Sequence, residues 1–549
     1  MTAVSFSTVA RRGGGWLPLI ATSALVGTGV TLALPTVLGH ALDATVAGSG
    51  AARWVAVAAA LVALGVLADL LGGYADTAGV AGAAAWLRER LVRHVLAVGP
   101  RAGFTPGDLV SRVSANAVDA ARAGPSAVAV ITASVPPIGS LLLLALIEPW
   151  LAAAFLVGLA LVAVVLRAFT RHTAEVFGAY QRVQGGIAAR LAEALTGART
   201  IAAAGTAARE EHRVLAALPE LRAYGVRTWR VLARTSGQAA VVGPLVLVAV
   251  LAVGGLALAA GRITAGDLFA ASRYASIGVG LGGLTGTLAA LARARAGVRR
   301  AGEVLAAPAT RYGDRTLPTG PGALELRGVT VRAGDTTLLH GVDLAVPGGA
   351  AVAVVGRSGA GKSVLAEVAA RLRDPDEGEV RLDGVPLREL SHGALRAAVG
   401  CAFERPVLVG GTVADAVGLG LSRDRVRGAA LATHADDFVS RLPGGYDTPL
   451  AEAPMSGGER QRLGLARAWP AERLLVLDDA TSSVDTVTEA QIARTLTGAA
   501  RGRTRLIVTH RAATAARADL VVWLDAGRVR AVGTDAALRA DPAYREVFA

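Results

Sequence analysis

Ala350–Leu365 reads AAVAVVGRSGAGKSVL, and the architecture of the chain follows from how this stretch divides. Ala351 to Val355 is an unbroken apolar run, the length and composition of a buried strand. Gly356, Arg357, Ser358, Gly359, Ala360, Gly361, Lys362 and Ser363 follow with the spacing G-x-x-x-x-G-K-[ST], and Val364 begins a helical run. Small residues let successive backbone N–H groups curl around a triphosphate, and the N-terminus of the next helix adds its positive end. Lys362 is placed to reach the β- and γ-phosphates, and the Ser363 hydroxyl to ligate Mg2+. Lys362 is the only lysine in 549 residues; every other member of the Lys+Arg total of 56 is arginine. A compact ammonium is retained where a point charge must sit among phosphates.

The length implies more than one domain. The chain is 53% hydrophobic, and its mean hydropathy of +0.48 is too high for an ordinary soluble chain of this size. Net charge is +13 with only 4% aromatic residues. The arginines are not laid out as a patch with stacking aromatics, so no nucleic-acid partner is expected. They fall between long apolar runs, which suits loops facing the anionic leaflet of a lipid bilayer. Cys401 is the sole cysteine, which excludes an intrachain disulfide and a cysteine-based metal cluster.

Apolar runs long enough to span a bilayer recur at 16–42, 54–84, 126–147, 149–169, 239–260 and 267–292. The first is too long for a signal-peptide core and is expected to stay as an anchor. The long gaps, 86–125 and 167–235, are rich in arginine, whereas the gaps around Asp43 to Arg53, Glu148-Pro149 and Gly261 to Gly266 hold few positive charges. Six spans with both ends inside satisfy the positive-inside rule, giving a multi-pass protein of the cytoplasmic membrane with its C-terminal half in the cytoplasm. Ala188 to Leu218 and much of 86–123 read as helix continuing out of the membrane. Asp69 and Asp76 lie within the second run, where carboxylates are candidates for a functional role or simply face a wet cavity. The expected division is an all-α, six-helix transmembrane domain over 1–305, a Pro/Gly-rich linker over 306–321, and an α/β domain over 322–549 in which strands such as Val329–Val331 and Leu344–Val346 alternate with helices.

Three further segments carry chemistry. Met455-Ser-Gly-Gly-Glu-Arg-Gln-Arg462 opens a helical stretch, and its hydroxyl and glycine N–H groups at a helix N-terminus form a second anion site. Leu474–Leu477 is an apolar strand ending in Asp478-Asp479, carboxylates able to hold Mg2+ directly or through water. Leu506–Thr509 is another strand, with His510 at its tip, the end at which open α/β sheets bind ligands.

Taken together and in this order, these segments resemble the nucleotide-binding domain of an ABC transporter, a P-loop NTPase. Gly356–Ser363 matches Walker A, Ser456–Gln461 the family signature, Leu474–Asp478 Walker B, Ser482–Asp485 the D-loop and His510 the switch histidine. The first half is similar to the six-helix exporter-type (type IV) membrane domain. GDLVSRVSANAVDAAR (Gly107–Arg122) resembles the segment carrying the first coupling helix, and AEALTGARTIAAAGTAAREEHR (Ala192–Arg213) the approach to the second. AGRITAGDL (Ala260–Leu268) resembles the turn between the last two membrane helices.

The resemblance implies ATP and Mg2+ as cofactors. ATP would be bound by Gly356 to Val364 and, across a dimer, by Ser456, Gly457, Gly458 and Glu459 of the opposing copy. Mg2+ would be held by Ser363, Asp478 and Glu404, with Asp479, His510 and Glu404 in catalytic roles. It also exposes departures. The general base of the family is Glu; here it is Asp479, one methylene shorter. Glu404 stands where the Q-loop has Gln, Ala333 where a tyrosine stacks on adenine, and Glu459 and Met455 where the signature has Gln and Leu. A displacement of about 1 Å at a catalytic group can cost on the order of a hundredfold. A lost base stack is worth about 1–3 kcal/mol unless Arg332 lies on the ring instead.

Because each ATP lies between one chain's Walker A and the other's signature, this chain is expected to be a half-transporter, the degenerate partner of an intact second half-transporter. Its cargo would be an amphipathic or apolar small molecule, lipid or peptide. The competing readings are a homodimeric exporter with slow hydrolysis, a siderophore importer of the same fold, and a membrane-bound regulator. A reporter fused at Ala47 or Glu148 should read extracytoplasmic and one at Arg112 or Arg209 cytoplasmic. Protease protection placing Arg209 outside would overturn the topology.

Overall fold

The computed structural model describes residues 5–12, 15–48, 50–99, 103–279, 282–484, 486–497, 500 and 502–548. Asp485, at the end of the D-loop segment, lies outside them. The chain forms two compact units, one of residues 1–95 and 104–307, the other of 96–103 and 308–549.

The first unit is helical. Its long elements are α1 (Trp16–Val46), α2 (Ala51–Val98, whose last residues from Leu96 on belong to the second unit), α3 (Ala123–Ile147), α4 (Pro149–Thr196), α5 (Leu218–Ala259), α6 (Ala265–Val279) and α7 (Gly282–Ala306). The first five apolar runs each fall on one of α1 to α5. The sixth, 267–292, is shared between α6 and α7. Among the described residues, Trp16–Val46, Ala51–Val98 and the helical stretch Pro106–Ile147 are long and apolar enough to cross a membrane, and Pro149–Ala160 and Gly243–Ala259 are shorter apolar segments. At 48 residues each, α2 and α4 reach about 72 Å, more than twice a hydrocarbon core of about 30 Å.

Local chemistry sets the breaks. Glu148 adopts an extended backbone, and Pro149, with no N–H to leave unpaired, starts α4. The expectation of unbroken helix from Ala188 to Leu218 fails. α4 stops at Thr196, and two short helices, Ala198–Ala204 and Ala207–Leu215, precede α5. Gly205 takes φ +65, a left-handed conformation that glycine adopts without penalty. Thr206 N–H then closes on the Ile201 carbonyl at 3.1 Å and ends the turn.

Polar residues in the short gaps pair with one another. Asp43 accepts from Gly266 N–H at 2.7 Å and from the Thr264 hydroxyl at 2.6 Å, and Arg262 pairs with Glu148 at 2.9 Å. Asp69 and Asp76 are both exposed on α2. Arg112 does not behave as a free loop charge. It bonds Asp108 at 2.8 Å and both Glu303 and the Arg300 carbonyl at 2.7 Å, so it ties the 106–116 segment to α7.

The second unit is α/β. A four-stranded sheet runs in the order β2-β1-β4-β5 and a six-stranded sheet in the order β10-β9-β3-β8-β7-β6. The strands are β1 (Leu324–Ala333), β2 (Thr336–Val346), β3 (Ala351–Val355), β4 (Glu377–Leu382), β5 (Val385–Pro386), β6 (Val399–Phe403), β7 (Leu474–Asp478), β8 (Thr504–Val508), β9 (Leu520–Asp525) and β10 (Arg528–Gly533). β3 is buried along its whole length, as its unbroken apolar run requires. It pairs in parallel with β8 and β9, and β7 pairs in parallel with β6 and β8. A helical membrane domain followed by an α/β nucleotide-binding domain is thus the fold class expected from sequence.

α1 and α6 cross closely. A Cβ on Gly39 would stand 2.5 Å from the Gly266 carbonyl oxygen, and one on Gly266 2.2 Å from that of Gly39. Neither backbone can yield without moving a helix. Gly266→Val should therefore lower stability by about 1–3 kcal/mol or more, read as a lower thermal midpoint in detergent. An unchanged midpoint would show that the crossing is not close.

Candidate functional site

Sheet register assembles the site. Val354 lies opposite Val508, Val508 opposite Asp478 and Asp478 opposite Phe403. The residues that follow each strand therefore emerge side by side along one sheet edge: Gly356 after β3, Glu404 after β6, Asp479 after β7 and Thr509-His510 after β8. This is the C-terminal edge, where parallel α/β sheets bind ligands.

The loop after β3 closes on its own lysine. Gly361 takes φ +96, and a Cβ there would meet the Leu338 carbonyl at 2.9 Å, so glycine is required. α8 (Lys362–Ala369) starts at the next residue. Lys362 is 6% exposed, and its Nζ donates to the carbonyls of Gly356 at 2.8 Å and Arg357 at 3.0 Å. Burial lowers its pKa, opposed by Asp479 and Asp478. Ser363 Oγ donates to Asp478 Oδ1 at 3.2 Å, so the hydroxyl and the strand-tip carboxylate meet at one point. Burial raises the Asp478 pKa and the bond from Ser363 lowers it.

Asp479 sits in a left-handed backbone at φ +47, which Asp tolerates better than most side chains. Its N–H bonds the Val508 carbonyl at 3.2 Å, and its Oδ2 lies 3.4 Å from His510 Nε2. Burial is the largest influence on its pKa and raises it, against the lowering effects of His510 and Lys362. Glu404 projects an exposed carboxylate 4.0 Å from Arg405 and pushes the pKa values of both Asp478 and Asp479 upward. Ala333 is exposed at the end of β1 and offers no ring. Arg332 is engaged by Glu377 at 2.5 Å and lines a cavity of about 740 Å³ with Ser363, Phe403 and Asp478.

Ser456 caps α9 (Gly457–Ala468). Its Oγ accepts from Glu459 N–H at 3.2 Å while Glu459 Oε2 accepts from Ser456 N–H at 2.7 Å, a capping box. Glu at this position thus closes the helix start as Gln could, and adds a negative charge there. Gly458 is small for packing as well as for anion access: a Cβ would stand 2.8 Å from the Ser483 carbonyl. Among the described residues, no hydrogen bond joins Ser456–Glu459 to the loop 356–363. Ser363, Asp478, Asp479 and His510 come together; the signature residues stand apart.

A family model described as ABC transporter matches residues 339–482, and one described as ABC transporter transmembrane region matches 17–280. The ABC transporter ATP-binding protein RamA of Streptomyces coelicolor is 50% identical over 528 residues, covering 94% of this chain and 82% of the relative. The chain belongs to the ABC transporter family. It is also 32% identical over 451 residues to a fatty acid ABC transporter ATP-binding/permease protein of Mycobacterium bovis, covering 80% of this chain and 71% of that one. A solved bacterial Atm1-family ABC exporter with ATP bound superposes with a TM-score of 0.77 at 26% identity, covering 96% of both chains. This ABC half-transporter thus has the exporter fold, its membrane and ATP-binding halves fused in one chain, and its second unit is an ABC ATPase domain that binds ATP.

Two polar residues of the site were given no individual role by the sequence reading, although Gln461 closes the signature match. Gln461 is 2% exposed. Its Nε2 donates to the Glu404 carbonyl at 2.7 Å and to Ser482 Oγ at 2.8 Å, and its Oε1 accepts from Ser483 N–H at 2.8 Å. One amide thereby ties α9, the residue after β6 and the D-loop segment. The available signal was a polar residue on the otherwise apolar buried face of α9. Arg511 binds the Ser482 carbonyl at 3.0 Å and pairs with Glu489; nothing in its sequence context marks it. Lys362→Ala should cut labelled-ATP occupancy of this ABC domain by about tenfold or more, since a charge-assisted contact with the phosphates is lost. Unchanged occupancy would contradict the assignment of the loop.

Proposed function

We propose that the chain is one half of a dimeric ABC exporter of the cytoplasmic membrane, using ATP to move an amphipathic or apolar solute, and that its own ATP site is the degenerate one of a heterodimer. The reading rests chiefly on Asp479. A general base must meet the water that attacks the γ-phosphate, and here the carboxylate is one methylene shorter than Glu and turned toward His510 at 3.4 Å. Burial raises its pKa, so what is lost is reach rather than basicity, and reach is the costlier loss. Glu404, an added carboxylate in place of a neutral amide, and Ala333, with no ring for the base, point the same way.

The binding parts persist. Ser363 and Asp478 offer the hard oxygen ligands that Mg2+ takes when phosphates and water complete its shell. Among the described residues no three His, Cys, Asp or Glu side chains form a metal cage. Mg2+ bound there would neutralise charge developing on the phosphates. Ser456 and the glycines after it are intact and would serve the partner's ATP. The scarcity of aromatic residues and of charges within the apolar runs favours an apolar cargo, in keeping with the fatty acid named for the Mycobacterium bovis relative.

Steady-state ATPase rates test the asymmetry. With the natural partner, Asp479→Asn should change turnover by less than about twofold, because hydrolysis occurs at the other site. Ser456→Arg should remove most of it, about a hundredfold, by placing bulk and charge where a helix N-terminus must approach the partner's γ-phosphate. Robust hydrolysis by this chain alone, lost in Asp479→Asn, would establish a homodimer instead.

A further inference from the structure

The helix that starts at the ATP loop ends at a buried arginine that the ATP site does not use. α8 carries Lys362 and Ser363 at its N-terminus and packs through Leu365, Ala366, Val368 and Ala369, all buried. Arg371 follows its cap, in a left-handed backbone at φ +50, and is 4% exposed. Its Nε bonds Asp374 at 3.1 Å, one terminal nitrogen the Leu387 carbonyl at 2.8 Å, and the other the Arg311 carbonyl at 2.5 Å. Its guanidinium lies 4.8 Å from the Tyr312 ring centre. The carbonyls of Ala370 and Arg371 are in turn held by Arg396, each at 3.2 Å.

Arg311 and Tyr312 belong to the strap 308–315, which continues directly from α7. The strap is ordered by polar clasps. Gly313 N–H bonds the Leu390 carbonyl at 3.1 Å, and Arg315 N–H the Glu389 carbonyl at 3.0 Å. Thr310 N–H reaches the Ala97 carbonyl at 3.2 Å, and Tyr312 meets His392 edge-on at 4.7 Å. Beside these clasps is a cavity of about 890 Å³ lined by strap residues together with Arg371, Val368 and Leu387. The strap is therefore clipped at points and has room to shift.

We propose that Arg371 is a positioning residue that carries nucleotide occupancy at 356–363 along α8 to the strap 308–315. α8 is short and packed, so it moves as a rod. Displacing its N-terminus onto phosphates moves Arg371, whose head grips the strap by one hydrogen bond and one cation–π contact. The strap is covalently continuous with α7, and through Thr310 it also touches the end of α2, so its displacement has two routes toward the membrane helices.

The experiment uses the full chain in membranes and reads trypsin cleavage at the exposed strap arginines Arg311 and Arg315, with and without Mg·ATPγS. Photolabelling with azido-ATP is measured in parallel. In the wild type, nucleotide should change the cleavage rate about fivefold, whereas Lys362→Ala should give no response. Arg371→Met should bind azido-ATP as the wild type does yet lose the response. Tyr312→Leu, which leaves the buried hydrogen bonds of Arg371 in place, should reduce the response and guards against misfolding of the first variant. A merely structural clamp predicts faster cleavage in the variants with the nucleotide ratio preserved; that result, or an unresponsive wild-type strap, overturns the proposal.

Discussion

A buried ammonium cannot go unpaired without heavy cost, and the nucleotide domain is arranged around satisfying the one on Lys362. Its partners are backbone carbonyls of its own loop, so the loop must curl back over the first residue of α8. That curl requires glycine at 361 and a strand delivering Gly356 from one side. The strand must be β3, buried throughout, because a loop can be held to hydrogen-bond tolerance only by an anchored support. The sheet neighbours β7 and β8 then bring Asp478, Asp479 and His510 to the same edge. The lysine's charge is offset by these carboxylates, while its burial opposes that effect. A phosphate chain would enter a site already organised around a cation.

The parts most legible in the sequence were those where one physical demand fixes both residue type and spacing. The loop 356–363 needs small residues, then Lys, then a hydroxyl. A strand in the middle of a parallel sheet needs an unbroken apolar run, which is why β3, β7 and β8 could be read to within a residue or two. Ser456 as a helix cap was legible for the same reason. The helical unit was legible as apolar runs separated by short gaps, but the breaks within 188–218 were not. At Gly205 a left-handed turn ends a segment whose alanines favour helix, and a single glycine does not announce whether it continues or stops one. The roles of Gln461 and Arg511 were not legible because their work is done through partners distant in sequence: Glu404 and Ser482 for one, Ser482 and Glu489 for the other.

The segment between the two halves shows how far composition can mislead. Prolines and glycines over 306–321, with no apolar period, suggest a passive connector. Yet Gly313 has no space for a side chain, because a Cβ there would sit 2.0 Å from the Glu389 carbonyl. Tyr312 is packed between an arginine and a histidine, and Arg315 is paired with Glu389 at 2.8 Å. Glycine here permits close backbone approach rather than looseness. The residues that hold this segment, Arg371 and the 387–390 turn, lie far along the chain, so no local reading could have located them.

The departures at the site are best weighed by what each leaves intact. Replacing Gln by Glu at 459 preserves both hydrogen bonds of the capping box, so the helix start survives and only the charge presented there changes. Asp479 keeps a carboxylate near His510; if it is the base, as proposed, it is drawn back by about one methylene relative to Glu, roughly the 1 Å that oriented catalysis does not forgive. The backbone at 479 is left-handed, at φ +47, a conformation that Asp tolerates better than most residues. Ala333 offers no ring; stacking there would be used equally by every nucleotide-bound state, so its absence would bear on binding rather than on the barrier to hydrolysis. If one ATP site of the pair is degenerate, as proposed, the changes at 479 and 404 bear on the chemical step, whereas the change at 333 bears on binding.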